Sequence, residues 1–202
     1  VSHDIEHAVA NYVAENRVNL VIGEWDPELF HGEMAGYDVD WYMRHVDADI
    51  VFVRDGGVRA VDDIAVIGER GPFSPLELLV GDALAEAHGA TLHGISAADP
   101  DVRDASIERI EAYHGEVASI LSARTSFQIV QATDQEDRLL EAASEADLVI
   151  ASTSAHHIRY DVLFGTLPDR LVDELDNTVL LVHQDEPRRH TFIRHLLERF
   201  VF

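Results

Sequence analysis

Histidine is the residue type in this chain most able to bind a metal ion, and there are twelve histidines. His3 and His7 are four residues apart on a predicted helix, a spacing that can bind one ion. His156 and His157 are adjacent, so their side chains point in different directions in most conformations. Neither pair has a third and fourth ligand nearby in sequence. The sequence therefore predicts no metal site and solvent-exposed histidines.

Nucleophilic catalysis also lacks the residues it needs. Ser152 and Ser154 precede His156 closely, but no Gly-x-Ser-x-Gly turn surrounds them. Paired carboxylates carry no information in a chain with 38 acidic residues. A hydrolase would need a positioned base and an oxyanion hole, and the sequence indicates neither. We expect no catalytic residues and no enzyme activity, with a small hydrolase as the alternative.

The charge balance excludes one class of partner and indicates an environment. The net charge is −23, and all 15 basic residues are arginine, with no lysine. Such a surface repels itself at low ionic strength and needs salt to screen it, so the composition indicates adaptation to molar salt. It also argues against a nucleic-acid partner, because a phosphate backbone requires a basic surface.

The remaining composition favours a cytoplasmic protein with a packed core. Hydrophobic residues make up 47% of the 202 residues, and no stretch is long and apolar enough to span a bilayer. No cysteine is present, which excludes disulfides and thiolate sites. The first residue is valine, so we expect either an unusual start or a fragment of something longer.

Strands alternate with helices along most of the chain. From residue 60 to 183, five short apolar segments separated by helical patterns predict a five-stranded parallel, doubly wound α/β sheet of the nucleotide-binding type. The five predicted strands are Ile64–Ile67, Thr91–Ile95, Ser126–Val130, Leu148–Ala151 and Val179–Val182. Two further strands, Val18–Ile22 and Ile50–Val53, are predicted before them.

The two halves of the chain repeat at an offset of 129 residues. This offset relates Gly36 to Gly165, Asp47 to Asp176, Ile50 to Val179 and Val53 to Val182. We predict a partial first copy that contributes only its last two strands (1–55), a full domain (58–185) and a C-terminal helix (186–202). Two strands cannot bury both faces of a sheet alone, so the first copy should pack on the second copy, on another chain or on upstream sequence.

The ends of both copies resemble the universal stress protein family. In the first copy the resemblance lies in the segment from Gly36 to Arg54, with Arg44-His45 closing a helix before a strand that ends in Val53-Arg54. In the second copy it lies in Asp147–Ala151, Gly165-Thr166 and Val179–Val182. The resemblance implies a regulatory domain that pairs through its fifth strand, so Ile50–Val53 should lie against Val179–Val182 within the chain or in a homodimer.

A closer resemblance is to the stress-protein domains that form cytoplasmic tails of amino-acid permeases. It rests on the segment from Ile64 to Pro72 and on the helix that ends at Ala87-His88-Gly89-Ala90. Two such domains follow one another in those tails, joined by a linker like Arg54–Gly57. The resemblance implies stress-related regulation of amino-acid transport and a membrane transporter domain as partner.

The resemblance also locates a nucleotide site. ATP-binding members use Gly-x-x-Gly and, nine residues later, Gly-Ser or Gly-Thr, whose backbone amides and hydroxyl bind phosphate. Gly165 and Thr166 remain here, but Ser152 and Ala155 replace the earlier glycines, and Glu69 stands where the family has an adenine-side Asp. Counting back in the first copy gives Gly23 and Asp26. We expect a degenerate site with no cofactor or weak ATP binding; a free-standing, ATP-binding stress protein is the alternative.

The last segment carries a basic amphipathic pattern. Residues 187–202 have a net charge of +3, which leaves −26 for the rest of the chain. An apolar stripe runs along the predicted helix, formed by Phe192, Ile193, Leu196, Leu197 and Phe200. The pattern leaves three alternatives open: docking on the acidic domain, packing against a partner chain, or lying on an anionic membrane surface.

Overall fold

The computed structural model describes residues 2–25, 38–68, 71–153 and 167–185. Six helices and seven strands form in these ranges. In chain order they are α1 (Ser2–Asn16), β1 (Leu20–Glu24), α2 (Asp38–His45), β2 (Asp49–Arg54), β3 (Asp63–Gly68), α3 (Pro75–His88), β4 (Thr91–Ala98), α4 (Asp104–Ile120), β5 (Arg124–Gln131), α5 (Gln135–Ser144), β6 (Leu148–Ser152), α6 (Leu167–Glu174) and β7 (Thr178–His183). The predicted C-terminal helix lies outside the described residues.

All seven strands belong to one sheet, in the order β1-β2-β7-β6-β3-β4-β5. Strands β3 to β7 are mutually parallel, which confirms the predicted five-stranded parallel sheet. Strands β1 and β2 are parallel to each other and extend the same sheet. The predicted division near residues 55–58 stays a prediction, because the sheet crosses it without a break.

The join between the two groups of strands is the antiparallel pair β2–β7. Val51 lies opposite Val182, Phe52 opposite Leu181, and Val53 opposite Leu180. The pairing predicted for the two fifth strands is therefore confirmed within this chain, and its first group packs on the second. The homodimer alternative stays a prediction.

The sheet is covered on both faces, as its buried strands require. Helices α1, α2, α5 and α6 pack on one face, and α3 and α4 pack on the other. Strand β6 shows the two sides clearly: Val149 packs with the first group of helices and Ile150 with the second, and both are fully buried. Among the described helices, none is long and apolar enough to cross a membrane.

Helix α3 shows how local sequence sets the element boundaries. Pro75 occupies the first turn, where a missing N–H costs nothing. Glu77 accepts a hydrogen bond from the backbone N–H of Ser74 at 2.7 Å. Gly89 ends the helix in the left-handed conformation, with φ 70°, as the sequence predicted.

The first predicted strand was misplaced by two residues. It runs over Leu20–Glu24 rather than Val18–Ile22. The reason is the end of α1, where Arg17 adopts a φ of 53° and the Val18 N–H donates to the Val13 carbonyl at 3.1 Å. Val18 therefore still belongs to the end of the helix, and the strand begins only after Asn19.

Candidate functional site

The chain path creates a crevice between β3 and β6. The connection after β3 passes over the face that carries α3, whereas the connection after β6 passes over the opposite face, which carries α6. Adjacent parallel strands whose connections diverge in this way leave a cleft at their carboxyl ends, where α/β proteins bind ligands. Gly68 ends β3 and Ser152 ends β6 at this edge.

Of the five residues predicted for the nucleotide site, the structure describes only Ser152. This residue is half-buried at the end of β6, with Val182 of β7 as its register partner. Ser152 lies at the crevice, and the predicted nucleotide site stays a prediction. The other four, Glu69, Ala155, Gly165 and Thr166, lie outside the described residues.

The side of the crevice at β3 is closed by an aromatic ring. A Cβ added to Gly68 would lie 2.8 Å from Cε1 of Phe73, so the strand ends directly against the ring. The Phe73 backbone N–H donates to the Tyr113 hydroxyl at 2.9 Å. Burial raises the pKa of the Tyr113 phenol, although the Phe73 hydrogen bond opposes the shift. The phenol therefore stays neutral and holds the loop after β3 on α4.

Beneath this loop lies a buried hydrogen-bonded pair. The Ser96 hydroxyl and Nε2 of His114 are 3.0 Å apart, and the His114 ring stacks on Phe127 with centroids 4.8 Å apart. Burial lowers the pKa of His114 from 6.5 to about 4, so the ring is neutral at physiological pH. A neutral Nε2 can then accept a hydrogen bond from the Ser96 hydroxyl.

The Ser96–His114 pair is not arranged for nucleophilic catalysis. Ser96 is 3% exposed and His114 5% exposed, so neither can meet a substrate without opening the core. Its role here is to satisfy two polar groups under the crevice.

The expectation that histidines are solvent-exposed is wrong for two of them. His114 and His183 are both buried. His183 ends β7, and its Nδ1 lies 3.4 Å from the Thr153 carbonyl. His7, by contrast, is exposed and packs edge-on against Trp41 at 5.1 Å. Within the described ranges no three His, Cys, Asp or Glu side chains form a group that could hold a metal ion.

Strand register changes the alignment of the two segments that the sequence predicts to be copies. Ser152 pairs with Val182, and the residue 129 positions before Val182 is Val53, which pairs with Glu24. Ser152 therefore corresponds to Glu24, not to Gly23 as the count back from Gly36 predicted. The count failed because the segment between strand and helix is one residue shorter in the first copy. In that copy a carboxylate, and no glycine, stands at the strand end.

A separate cleft of about 560 Å³ opens at the other edge of the sheet. It lies at the amino ends of β6 and β7, beside the connection from β2 to β3. Its wall combines Arg59 with the carboxylates of Glu145, Asp147, Glu174 and Asp176. Asp147 is already engaged, because its Oδ2 accepts the backbone N–H groups of Asp62 and Asp63. This cleft is distinct from the crevice at the carboxyl ends.

Sequence reasoning missed the residues that shape the floor of the crevice. Tyr113 and Ser96 were not assigned to it, and Phe73 was not singled out at all. The available signal was a polar Ser96 inside an otherwise apolar strand, since a buried hydroxyl needs a partner.

The fold is shared with solved universal stress proteins. One from Archaeoglobus fulgidus superposes with a TM-score of 0.53 at 13% identity, covering 74% of this chain and 54% of that one. The cytoplasmic domain of a prokaryotic cation chloride cotransporter superposes with a TM-score of 0.62 at 14% identity, covering 90% of this chain and 70% of that one. Identities this low establish the fold alone.

A third solved structure is a universal stress protein in complex with cAMP, at 24% identity. It covers 62% of this chain and 98% of that one, and its TM-score of 0.49 establishes nothing about a ligand here. No protein-family model matches the sequence, and no curated protein matches it significantly.

Proposed function

We propose that the chain is a non-catalytic, universal-stress-protein-like regulatory domain that acts on a membrane transporter, with a nucleotide site too degenerate for tight ATP binding. The amino-acid permeases named by the sequence resemblance are the proposed class of transporter. The main support is the similarity to the cotransporter domain. Of the three reported structures it has the highest TM-score, and the similarity extends over 90% of the chain.

The extent of that similarity supports two tandem units. Strands β3–β7 span only residues 63–183. A match over 90% of the chain must therefore include much of the region before Asp63, where α1, β1, α2 and β2 lie. The similarity to a transporter's cytoplasmic domain is therefore not confined to strands β3–β7.

The element boundaries support the view that the first unit is a partial copy. Helices α2 and α6 have bounds that differ by 129 at both ends, and so do strands β2 and β7. The antiparallel pair is symmetric under the same offset, with Phe52 and Leu181 at its centre. A chain segment and its repeat are expected to meet in this way across a local twofold axis.

Matching hydrogen bonds strengthen the same point. The Trp25 N–H donates to the Val53 carbonyl at 2.8 Å, and the Thr153 N–H donates to the Val182 carbonyl at 2.8 Å. Beyond the strands, the Gly56 N–H donates to Oγ1 of Thr178 at 3.0 Å. Its counterpart, the N–H of Asp185, donates to Oδ1 of Asp49 at 3.0 Å.

The strand ends explain why ATP should bind weakly. A serine side chain at position 152 keeps the backbone from the close approach that glycine would allow. In the first unit the corresponding Glu24 is exposed at the strand end, where its charge would repel a phosphate.

Calorimetric titration with ATP in molar KCl tests the site. We expect a dissociation constant poorer than about 100 μM, or roughly −5.5 kcal/mol. Restoring both glycines with Ser152→Gly and Ala155→Gly should tighten binding by about tenfold, equivalent to about 1.4 kcal/mol. The control is Ser122→Gly at the opposite edge of the sheet, which should change nothing. Low-micromolar binding by the unaltered chain would favour the free-standing ATP-binding alternative.

The transporter link has its own test. The reading frame that encodes this chain should continue upstream into a segment with many hydrophobic spans. A stop codon directly upstream, together with a free protein of this size in cell extracts, would contradict the link to a transporter. Hydrolysis of a generic ester or of ATP by the purified chain, abolished by Ser152→Ala, would instead support the small-hydrolase alternative.

A further inference from the structure

The first strand, β1, carries an apolar surface that the described residues leave uncovered. Strand β1 is the edge of the sheet, and β2 is its neighbour on the inner side. Leu20 is 42% exposed and Ile22 67% exposed, whereas Val21, on the opposite side of the strand, packs against the core. The exposed side of β1 therefore lies on the face of the sheet that α3 and α4 cover further along.

The corresponding strand of the second unit shows what is missing. By register, Leu20 matches Leu148 and Ile22 matches Ile150. Leu148 and Ile150 are 7% and 0% exposed because β3 pairs with the other edge of β6 and α3 packs above it. Among the described residues, the same apolar pattern in β1 has neither a strand on its second edge nor a covering helix.

The exit of the chain from β7 leads toward this surface. Asp185 is held beside β2 by the hydrogen bond to Asp49, and Asp49 is the register partner of Leu20. Neighbouring strands lie about 4.8 Å apart, so the chain leaves the described region roughly one strand spacing from β1.

The local twofold relation predicts where the chain goes next. After β2, the eight residues 55–62 cross the amino ends of β7 and β6 to reach β3. After β7, the same number of residues, 184–191, would cross the amino ends of β2 and β1. On such a path the chain would come to the amino end of β1 at about residue 192, so the segment that follows would begin beside the uncovered surface.

We propose that residues 192–202 dock as an amphipathic helix on the uncovered side of β1, over Leu20 and Ile22. The apolar stripe of this segment supplies side chains for that surface. Eleven helical residues span about 16 Å, close to the length of a five-residue strand. The charges agree as well, because residues 187–202 carry +3 and the rest of the chain −26.

Engineered cysteine pairs test the docking directly, because the chain has no cysteine of its own. In the full chain, Ile22→Cys combined with Leu197→Cys should form a cross-link within one molecule under mild oxidation or with a short bis-maleimide. The matched control combines Tyr12→Cys with Leu197→Cys, since Tyr12 is 61% exposed but lies on α1, across the sheet. We expect at least about fivefold more intramolecular product from the first pair than from the control.

Thiol protection provides a second readout that does not depend on the exact side-chain geometry. With only Ile22→Cys present, maleimide labelling should be slow, and Leu196→Gln with Leu197→Gln should accelerate it severalfold. Glu198→Gln, on the polar side of the predicted helix, should leave the rate unchanged. Circular dichroism shows whether each variant is folded.

Three results would overturn the proposal. Equal intramolecular cross-linking of both pairs would show that the segment has no preferred place. Cross-links formed only between molecules would assign the surface to a second copy of the chain. Fast labelling of Ile22→Cys that the glutamine substitutions do not alter would show that the segment does not cover β1.

Discussion

Ile22 and Ile150 occupy matching positions in two matching strands, yet one is 67% exposed and the other fully buried. The local sequences are alike, Leu-Val-Ile in both strands, so sequence pattern does not cause the difference. What differs is the neighbourhood: β6 lies between β7 and β3 under α3, whereas within the described part of the chain β1 pairs with β2 alone. The burial of a strand is therefore determined more by the elements that pack around it than by its own residues.

The largest effect that this comparison predicts is on stability. Ile150→Ala should lower the free energy of unfolding by about 2–5 kcal/mol, because it leaves a cavity among packed strands and α3. Ile22→Ala should cost clearly less, because among the described residues β1 has a strand on one edge only, and the docked C-terminal segment that we propose would be the sole cover of Ile22. Urea denaturation in molar KCl measures both. Equal losses would show that Ile22 is covered as thoroughly as Ile150 and would break the comparison.

A second difference between the two halves lies where each leaves its last strand. Gly56 follows β2 and packs so tightly on the backbone of residues 176–178 that an added Cβ would clash with it. Its counterpart after β7 is Asp185, a position that has room for a side chain. The twofold relation therefore holds for the hydrogen bonds of these two residues but not for their packing.

Gly56→Ala should consequently destabilise the protein by about 1–3 kcal/mol, since backbone atoms cannot move aside cheaply. Asp185→Ala, the matched substitution, keeps the backbone N–H that donates to Asp49 and introduces no clash, so it should lower the stability less than Gly56→Ala does. The same denaturation experiment compares them. A harmless Gly56→Ala would mean that the linker shifts away from β7 without loss.

Much of the fold follows from the sequence because apolar spacing reports helix and strand directly. The parallel order of β3–β7 and the pairing of Ile50–Val53 with Val179–Val182 were both predicted. The start of β1 was not, because the left-handed Arg17 lets α1 hold Val18, and no spacing rule indicates that conformation. The sequence also did not predict that all seven strands form one sheet. It left open whether the first copy packs on the second copy, on another chain or on upstream sequence.

The candidate site was less accessible from sequence. Its position at the end of β6 was predicted through Ser152, but the matching residue in the first copy was wrong by one. Counting from Gly36 assumes that the segment between β1 and α2 is as long as the segment between β6 and α6. The first segment is one residue shorter, so the residue that corresponds to Ser152 is Glu24 and not Gly23. A strand register reveals such a shift because hydrogen-bonded partners fix the alignment residue by residue.

The smallest predicted effect is on the pH dependence of stability, and it depends on His114 of the second unit. His114 is buried beneath the loop after β3, and burial lowers its pKa from 6.5 to about 4. In the window between these values the unfolded chain binds more protons than the folded one, so the free energy of unfolding falls as the pH falls. The slope that one such histidine contributes is at most about 1.4 kcal/mol per pH unit.

His114→Gln should remove this contribution, because an amide can still hydrogen-bond to the Ser96 hydroxyl but does not titrate. Unfolding free energies of the variant should therefore depend less steeply on pH between 7 and 5 than those of the unaltered chain. His88→Gln, at the exposed end of α3, is the control and should keep the steep dependence. Parallel pH profiles for all three proteins would mean that His114 becomes protonated without unfolding, and that the loop after β3 opens more readily than its burial indicates.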